Sequence, residues 1–172
     1  NDIDGYTSSN LSADYHTAHN RVVVTWRGQS DYVWAMAGTV AGGSTNEATF
    51  GSKYDASSSS VGTRTSVVYD ANSEKMVVAY QDGGDSDKGK ARVLTTNGSE
   101  GNRTITGGTI AEFEGGAANW NAAVYDSANY KVVIAYQDTD NSNYGTAVVG
   151  TVSGTNITFG TPVVFASEAA YD

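Results

Sequence analysis

KMVVAYQD, residues Lys75 to Asp82, is the stretch whose reading decides the fold. Side chains alternate along an extended strand, so Met76, Val78 and Tyr80 share one face while Val77 and Ala79 share the other. Both faces are apolar, one with large residues and one with small. A strand of this kind is covered on both sides, and its sheet is therefore expected to lie between two neighbours. The same stretch returns as KVVIAYQD, Lys131 to Asp138, and in weaker form as RVVVTWRG, Arg21 to Gly28.

Working outward, SVVYDANSEKMVVAYQD (Ser66 to Asp82) aligns without a gap to AAVYDSANYKVVIAYQD (Ala122 to Asp138), and more loosely to SADYHTAHNRVVVTWRG (Ser12 to Gly28). Downstream, Ala35, Ala91 and Ala147 follow at equal intervals, as do Ser30, Ser86 and Ser142. TGGTIAEF (Thr106 to Phe113) matches TFGTPVVF (Thr158 to Phe165), and more loosely TFGSKY from Thr49. The chain is thus expected to hold three tandem units, at about 12–60, 61–116 and 117–172. Between the apolar runs lie DSANY, DTDNSNY and SGTN, whose Asn, Asp, Ser and Gly suit tight turns. Each unit is expected to be a four-stranded antiparallel meander.

Composition agrees. The chain of 172 residues has 20 Gly and 11 Tyr against one Pro and no Cys, and it is rich in the Val, Thr and Tyr that favour strands. Without Cys there are no disulfides and no thiolate metal sites. The formal charge of −9 would repel a phosphate backbone, which argues against nucleic-acid binding. No apolar run approaches the roughly 20 residues of a spanning helix. Neither an initiator Met nor a signal-like apolar stretch precedes Asn1, and a processed product or a piece of a longer chain is expected.

Four-stranded meanders of this length that stack face to face are β-propeller-type blades. The pattern YDxxxxKxVVAYxDxxxSxxGxA resembles tandem repeats in large secreted or surface proteins of marine microbes and their viruses. The SxDxGxTW box of sialidase-like propellers, the GH and WD signature of WD40 blades and the double-Gly kelch pattern are missing. The resemblance implies an all-β repeat scaffold and carries no activity. Closed propellers need about four to eight blades. Three would leave apolar faces bare, so further blades, from the same or other chains, are expected to complete a ring or a filament.

Candidate sites are few. Asp82, Asp85 and Asp87 in QDGGDSDKG, and Asp138, Asp140 and Asn143 in QDTDNSNYG, put hard oxygen ligands into short loops, as Ca²⁺ requires. The competing reading is that these residues build the hairpin. Asp70 and Asp126 are expected to open turns, with His16 at the same place in the first unit and His19 nearby. Tyr32, Trp34, Trp120 and Tyr144 are the aromatics best placed to stack on a sugar. Asn10, Asn97, Asn102 and Asn156 head glycosylation sequons. No nucleophile elbow, phosphate loop or HExxH occurs. These features favour a non-catalytic, secreted or cell-surface structural or adhesive protein that assembles with itself or with homologous repeat chains. The alternatives are a propeller-type lectin and, third, a glycoside-cleaving enzyme.

Overall fold

The computed structural model describes residues 8–41, 47–97 and 102–169. Among these described residues all regular structure beyond two short 3₁₀ turns is strand: β1 (Ser9–His16), β2 (Arg21–Arg27), β3 (Val33–Val40), β4 (Ala48–Phe50), β5 (Tyr54–Asp55), β6 (Val61–Asp70), β7 (Lys75–Asp82), β8 (Lys88–Thr96), β9 (Ile105–Asp126), β10 (Lys131–Asp138), β11 (Tyr144–Ser153), β12 (Asn156–Phe159) and β13 (Val163–Ala169). Every pairing is antiparallel.

The strands form two sheets. One has the order β1-β2-β3-β4 with β5 also on β3; the other runs β12-β11-β10-β9-β8-β7-β6 with β13 also on β11. The expectation of three separate sheets is corrected by β9. Its first half pairs with β8 up to Ala117, and its second half, from Ala118 to Asp126, pairs with β10. The anticipated boundary near 116 therefore lies inside one strand. GGAA, Gly115 to Ala118, holds no Pro, Asn or Asp to break the strand. Small residues there let the chain bend and keep pairing. The seven-strand path curls as a half-barrel, and its two halves face each other across a shared core.

Unit by unit, the strands are β1 to β5, β6 to β9, and β9 to β13, so the first and third units hold five where four were expected. The last strand is irregular in the first and third units. In the third, Gly160 to Pro162 separates β12 from β13, and Pro162 has no N–H to give to a ladder. Turn geometry repeats too. Asn20, Glu74 and Tyr130 close the first hairpin of each unit with φ of 50, 54 and 57°. The second hairpins turn through Ser30/Asp31, Ser86/Asp87 and Ser142/Asn143, all left-handed. The evenly spaced serines of the sequence are thus the first residues of a left-handed pair, a conformation in which non-Gly residues are uncommon.

Two cores separate three layers. In one, Val23, Val33, Ala35 and Ala37 of the first unit meet Val67, Met76, Val78, Tyr80 and Leu94 of the second. In the other, Val68, Val77, Ala79, Ala91, Val93 and Phe113 of the second unit meet Val132, Ile134, Tyr136, Val148 and Ile157 of the third. From Met76 to Asp82, β7 is buried without interruption. At both junctions the earlier unit brings its small face and the later unit its large one. A buried Val or Met contributes roughly 1.5–3 kcal/mol, so these two contacts dominate the packing.

The fourth strands are glycine-gated at the same junctions. A Cβ on Gly51 would stand 2.4 Å from the Arg103 carbonyl oxygen, and one on Gly108 would stand 1.8 Å from that of Thr155. At the aligned position in the third unit, Gly160, the nearest atom lies 3.8 Å away. Replacing Gly108 by Ala is expected to cost about 1–3 kcal/mol by overpacking, whereas Gly160→Ala should stay within about 0.5 kcal/mol, as on an open surface. Urea denaturation of the two variants checks this difference.

Candidate functional site

The unit-to-unit contact is the most organised feature of the molecule, and its residues can be followed from repeat to repeat. The first strands of the units, β1, β6 and the second half of β9, lie beside one another and exchange hydrogen bonds. The Ser12 hydroxyl accepts from the Val67 N–H at 3.0 Å, and the Ser66 hydroxyl accepts from the Ala123 N–H at 2.9 Å. The Asp14 carboxylate accepts from the Tyr69 N–H at 2.7 Å. Each side chain satisfies a backbone donor on the next unit, a group that would be costly to bury unpaired. Gln81, Asn119 and Gln137 add a side-chain amide chain between the second and third units: Gln81 donates to Asn119, which donates to Gln137 at 3.3 Å.

The recurring tyrosines also bridge units. Tyr69 packs on His16 in the preceding unit's turn, with ring centroids 4.5 Å apart, and the Tyr125 hydroxyl accepts from the Asn72 N–H at 3.1 Å. Tyr80 and Tyr136, at the second recurring position, are buried against the unit before them. Burial raises the pKa of both, and the Glu114 carboxylate, which accepts the Tyr136 hydroxyl at 2.7 Å, adds to the rise there.

At the ends of the stack the same positions are bare. Val68, Val93 and Phe113 are 6, 0 and 4 % exposed under the third unit, while their counterparts Val124, Val149 and Phe165 are 60, 45 and 65 % exposed. Phe113 lies over Gly89, and Phe165 lies in the same way over Gly145. The two rings are built alike and differ in whether a neighbour covers them. Tyr15 is 45 % exposed against 8 % for Tyr69.

The sequence-predicted ligands are held by other bonds. Asp82 Oδ1 accepts from the Ser59 hydroxyl at 2.7 Å and the Gly84 N–H at 3.0 Å. Asp85 is bound by Lys90 at 2.7 Å and Lys88 at 3.4 Å, which holds its carboxyl below the usual range. Glu112 shares both ammonium groups. Asp138 accepts from the Asn141 N–H, and burial, with Glu114 nearby, pushes its carboxyl up. Asp87 and Asn143 hold left-handed turn positions, and the Asp140 carboxylate lies against Gly116. Among the described residues no three His, Asp or Glu gather as a metal would require. Asp70 and Asp126 each accept two N–H groups of their own turn.

The candidate sugar-stacking aromatics are dispersed. Tyr32 and Trp34 stack with centroids 6.4 Å apart, Lys53 lying 4.5 Å over Trp34. Trp120, 38 % exposed, carries Arg64 over its ring at 4.7 Å. Tyr144 sits at the start of β11 opposite Asp138. Of the sequon residues, Asn102 and Asn156 are exposed in or beside the third hairpins, and Asn97 pairs across the same hairpin with Thr104. Gly98 and Ser99 of its sequon lie outside the described residues. Asn10 lines a cavity of about 270 Å³ with Leu11, Arg64 and Thr65, between β1 and β6.

Sequence reasoning missed the hydroxyl and carboxylate acceptors Ser12, Asp14 and Ser66, and the glycine gates. The serine at matching places in two repeats was the available signal for the first, and the Gly51, Gly108 and Gly160 alignment for the second. No protein-family model matches the chain, and no curated protein matches it.

His16 adds pH sensitivity to the first junction. It is fully buried, its Nε2 lies 3.1 Å from the Glu74 carbonyl oxygen, its Nδ1 accepts from the His19 N–H, and its ring stacks on His19 at 4.4 Å. Burial, then the His19 charge, lowers its pKa below 6.5. The unfolded chain therefore takes a proton that the folded chain resists, and stability falls as pH drops below about 6.5. Between pH 7.5 and 5 stability should therefore decrease as the pH falls. Denaturation midpoints of the wild type and His16→Asn across that range check it, the variant losing this part of the dependence.

Proposed function

We propose that the chain is a non-catalytic extracellular structural protein, whose three units are propeller-type blades that assemble through their faces into a ring or filament. The observation that carries the reading is the contrast between the second and third units. The second buries its small apolar face, and the third presents the same face, with aligned residues, to solvent. An apolar surface of this size and regularity calls for a neighbour. A heterologous contact repeated from unit to unit closes into a ring or continues as a filament, according to its rotation. The sequons at the outer hairpins suit a secreted chain that carries glycans away from the contact faces.

Glycan binding is the second reading. It is favoured by the Tyr32/Trp34 pair with Lys53, which is confined to the first unit and so departs from the scaffold repeat. A glycan array with Trp34→Ala as control tests it, and signal that survives the substitution would remove this pair from consideration.

Sedimentation velocity over a concentration series tests the assembly reading. The expected result is mass rising above the 18.0 kDa monomer with concentration, and a return to monomer for Val124→Lys/Val149→Lys with unchanged circular dichroism. A wild-type chain that stays at 18.0 kDa up to about millimolar concentration, where even contacts of about −4 kcal/mol populate, would overturn it.

A further inference from the structure

We infer that the open face of the third unit seats the first unit of a second copy of this chain, docked head to tail in the register that already joins unit to unit inside the molecule. This rests on the assembly reading above and goes beyond it by naming the occupant and the register.

The two internal junctions define the register. At each, a small residue face on the earlier unit receives a large residue face on the later one, and one first strand lies beside the next. The acceptor positions of the first strands are Ser12, then Ser66, then Ala122, and the donors opposite them are the N–H groups of Val67 and Ala123. The position that precedes Val67 and Ala123 in the series is Ala13. Ala13 is exposed, as is Ala122. Continuing the series by one step puts Ala13 of the second copy against Ala122 of the first.

The surrounding residues fit that step. Around Ala122 the third unit offers Val124, Val149 and Phe165, all exposed. On the outer side of the first unit Tyr15 is exposed and Val22 and Val24 are partly buried, while Trp26 and Met36 are already buried within the chain, so Tyr15 and the two valines meet the partner. Tyr15 would come over the turn opened by Asp126, as Tyr69 lies over His16 and Tyr125 reaches the turn opened by Asp70. Gly160 is open where Gly51 and Gly108 are closed by the following unit. One difference sets this contact apart from the internal ones. Ala122 stands where the first and second units have Ser12 and Ser66, so the join lacks that hydroxyl acceptor.

Cysteine pairing tests the register, and the chain's lack of Cys makes every link assignable. Ala13→Cys and Ala122→Cys are prepared as separate full-length variants, with Ser66→Cys/Ala123→Cys as the intrachain control for the same geometry. Under mild oxidation at concentrations where the wild type associates, the 18.0 kDa band should move to twice its mass in the mixture of the two variants and in neither alone. Equal linkage in Ala13→Cys alone or Ala122→Cys alone would show like faces meeting and overturn the inference. So would an absence of linkage in the mixture while the control closes. If sedimentation still shows association in that last case, the assembly reading stands and only the register falls; if the chain is monomeric, both fall.

Discussion

Burial of β7 on both faces is the constraint on which the rest of the structure depends. A central strand of one sheet can hide two apolar faces only if a second layer lies above and a third below. Met76, Val78 and Tyr80 are closed by the first unit, and Val77 and Ala79 by the third. The repeats supply those layers at little cost in chain length, since each unit is one meander that brings both a large face and a small face. What one junction gains by burial is partly offset by polar backbone that must be satisfied at the closest approach of the first strands. Ser12, Asp14 and Ser66 meet that need with side-chain acceptors. Where the layers crowd most, Gly51 and Gly108 remove the Cβ that would collide with the next unit's carbonyl.

Much of this was legible in the sequence because its signals are periodic. The alternation in KMVVAYQD and KVVIAYQD gave the strands, the facing and the need for neighbours. Asp70 and Asp126 opened turns for the reason their chemistry suggests. The evenly spaced Ser30, Ser86 and Ser142 were visible as a period, though only backbone geometry explained them, because nothing in a serine announces a left-handed turn. The repeat boundary drawn at 116 falls where β9 passes from β8 to β10 without breaking. Periodicity locates a repeat but does not say whether the chain stops pairing where the repeat begins again. GGAA has the composition of a linker and, held between β8 and β10, takes the form of a strand.

The candidate metal loops illustrate the opposite case. Aspartates at short spacing in QDGGDSDKG have the right chemistry for a hard cation, yet Asp85 lies against Lys88 and Lys90, which follow in the same loop and strand. Those lysines were in the sequence, but their reach back across the hairpin depends on the turn. Sequence shows which charges exist; the fold decides which of them meet.

On this account β10 and β11 differ from β7 and β8 in lacking a cover on the small face, and that difference is measurable strand by strand. Amide hydrogen exchange at two protein concentrations examines it most directly, since exchange reports the local opening free energy. The expected result is slow exchange in β7 at both concentrations, with β10 and β11 exchanging faster in dilute solution and slowing toward β7 as the protein is concentrated. Exchange in β10 and β11 that ignores concentration, or β7 exchanging faster than β10, would contradict it.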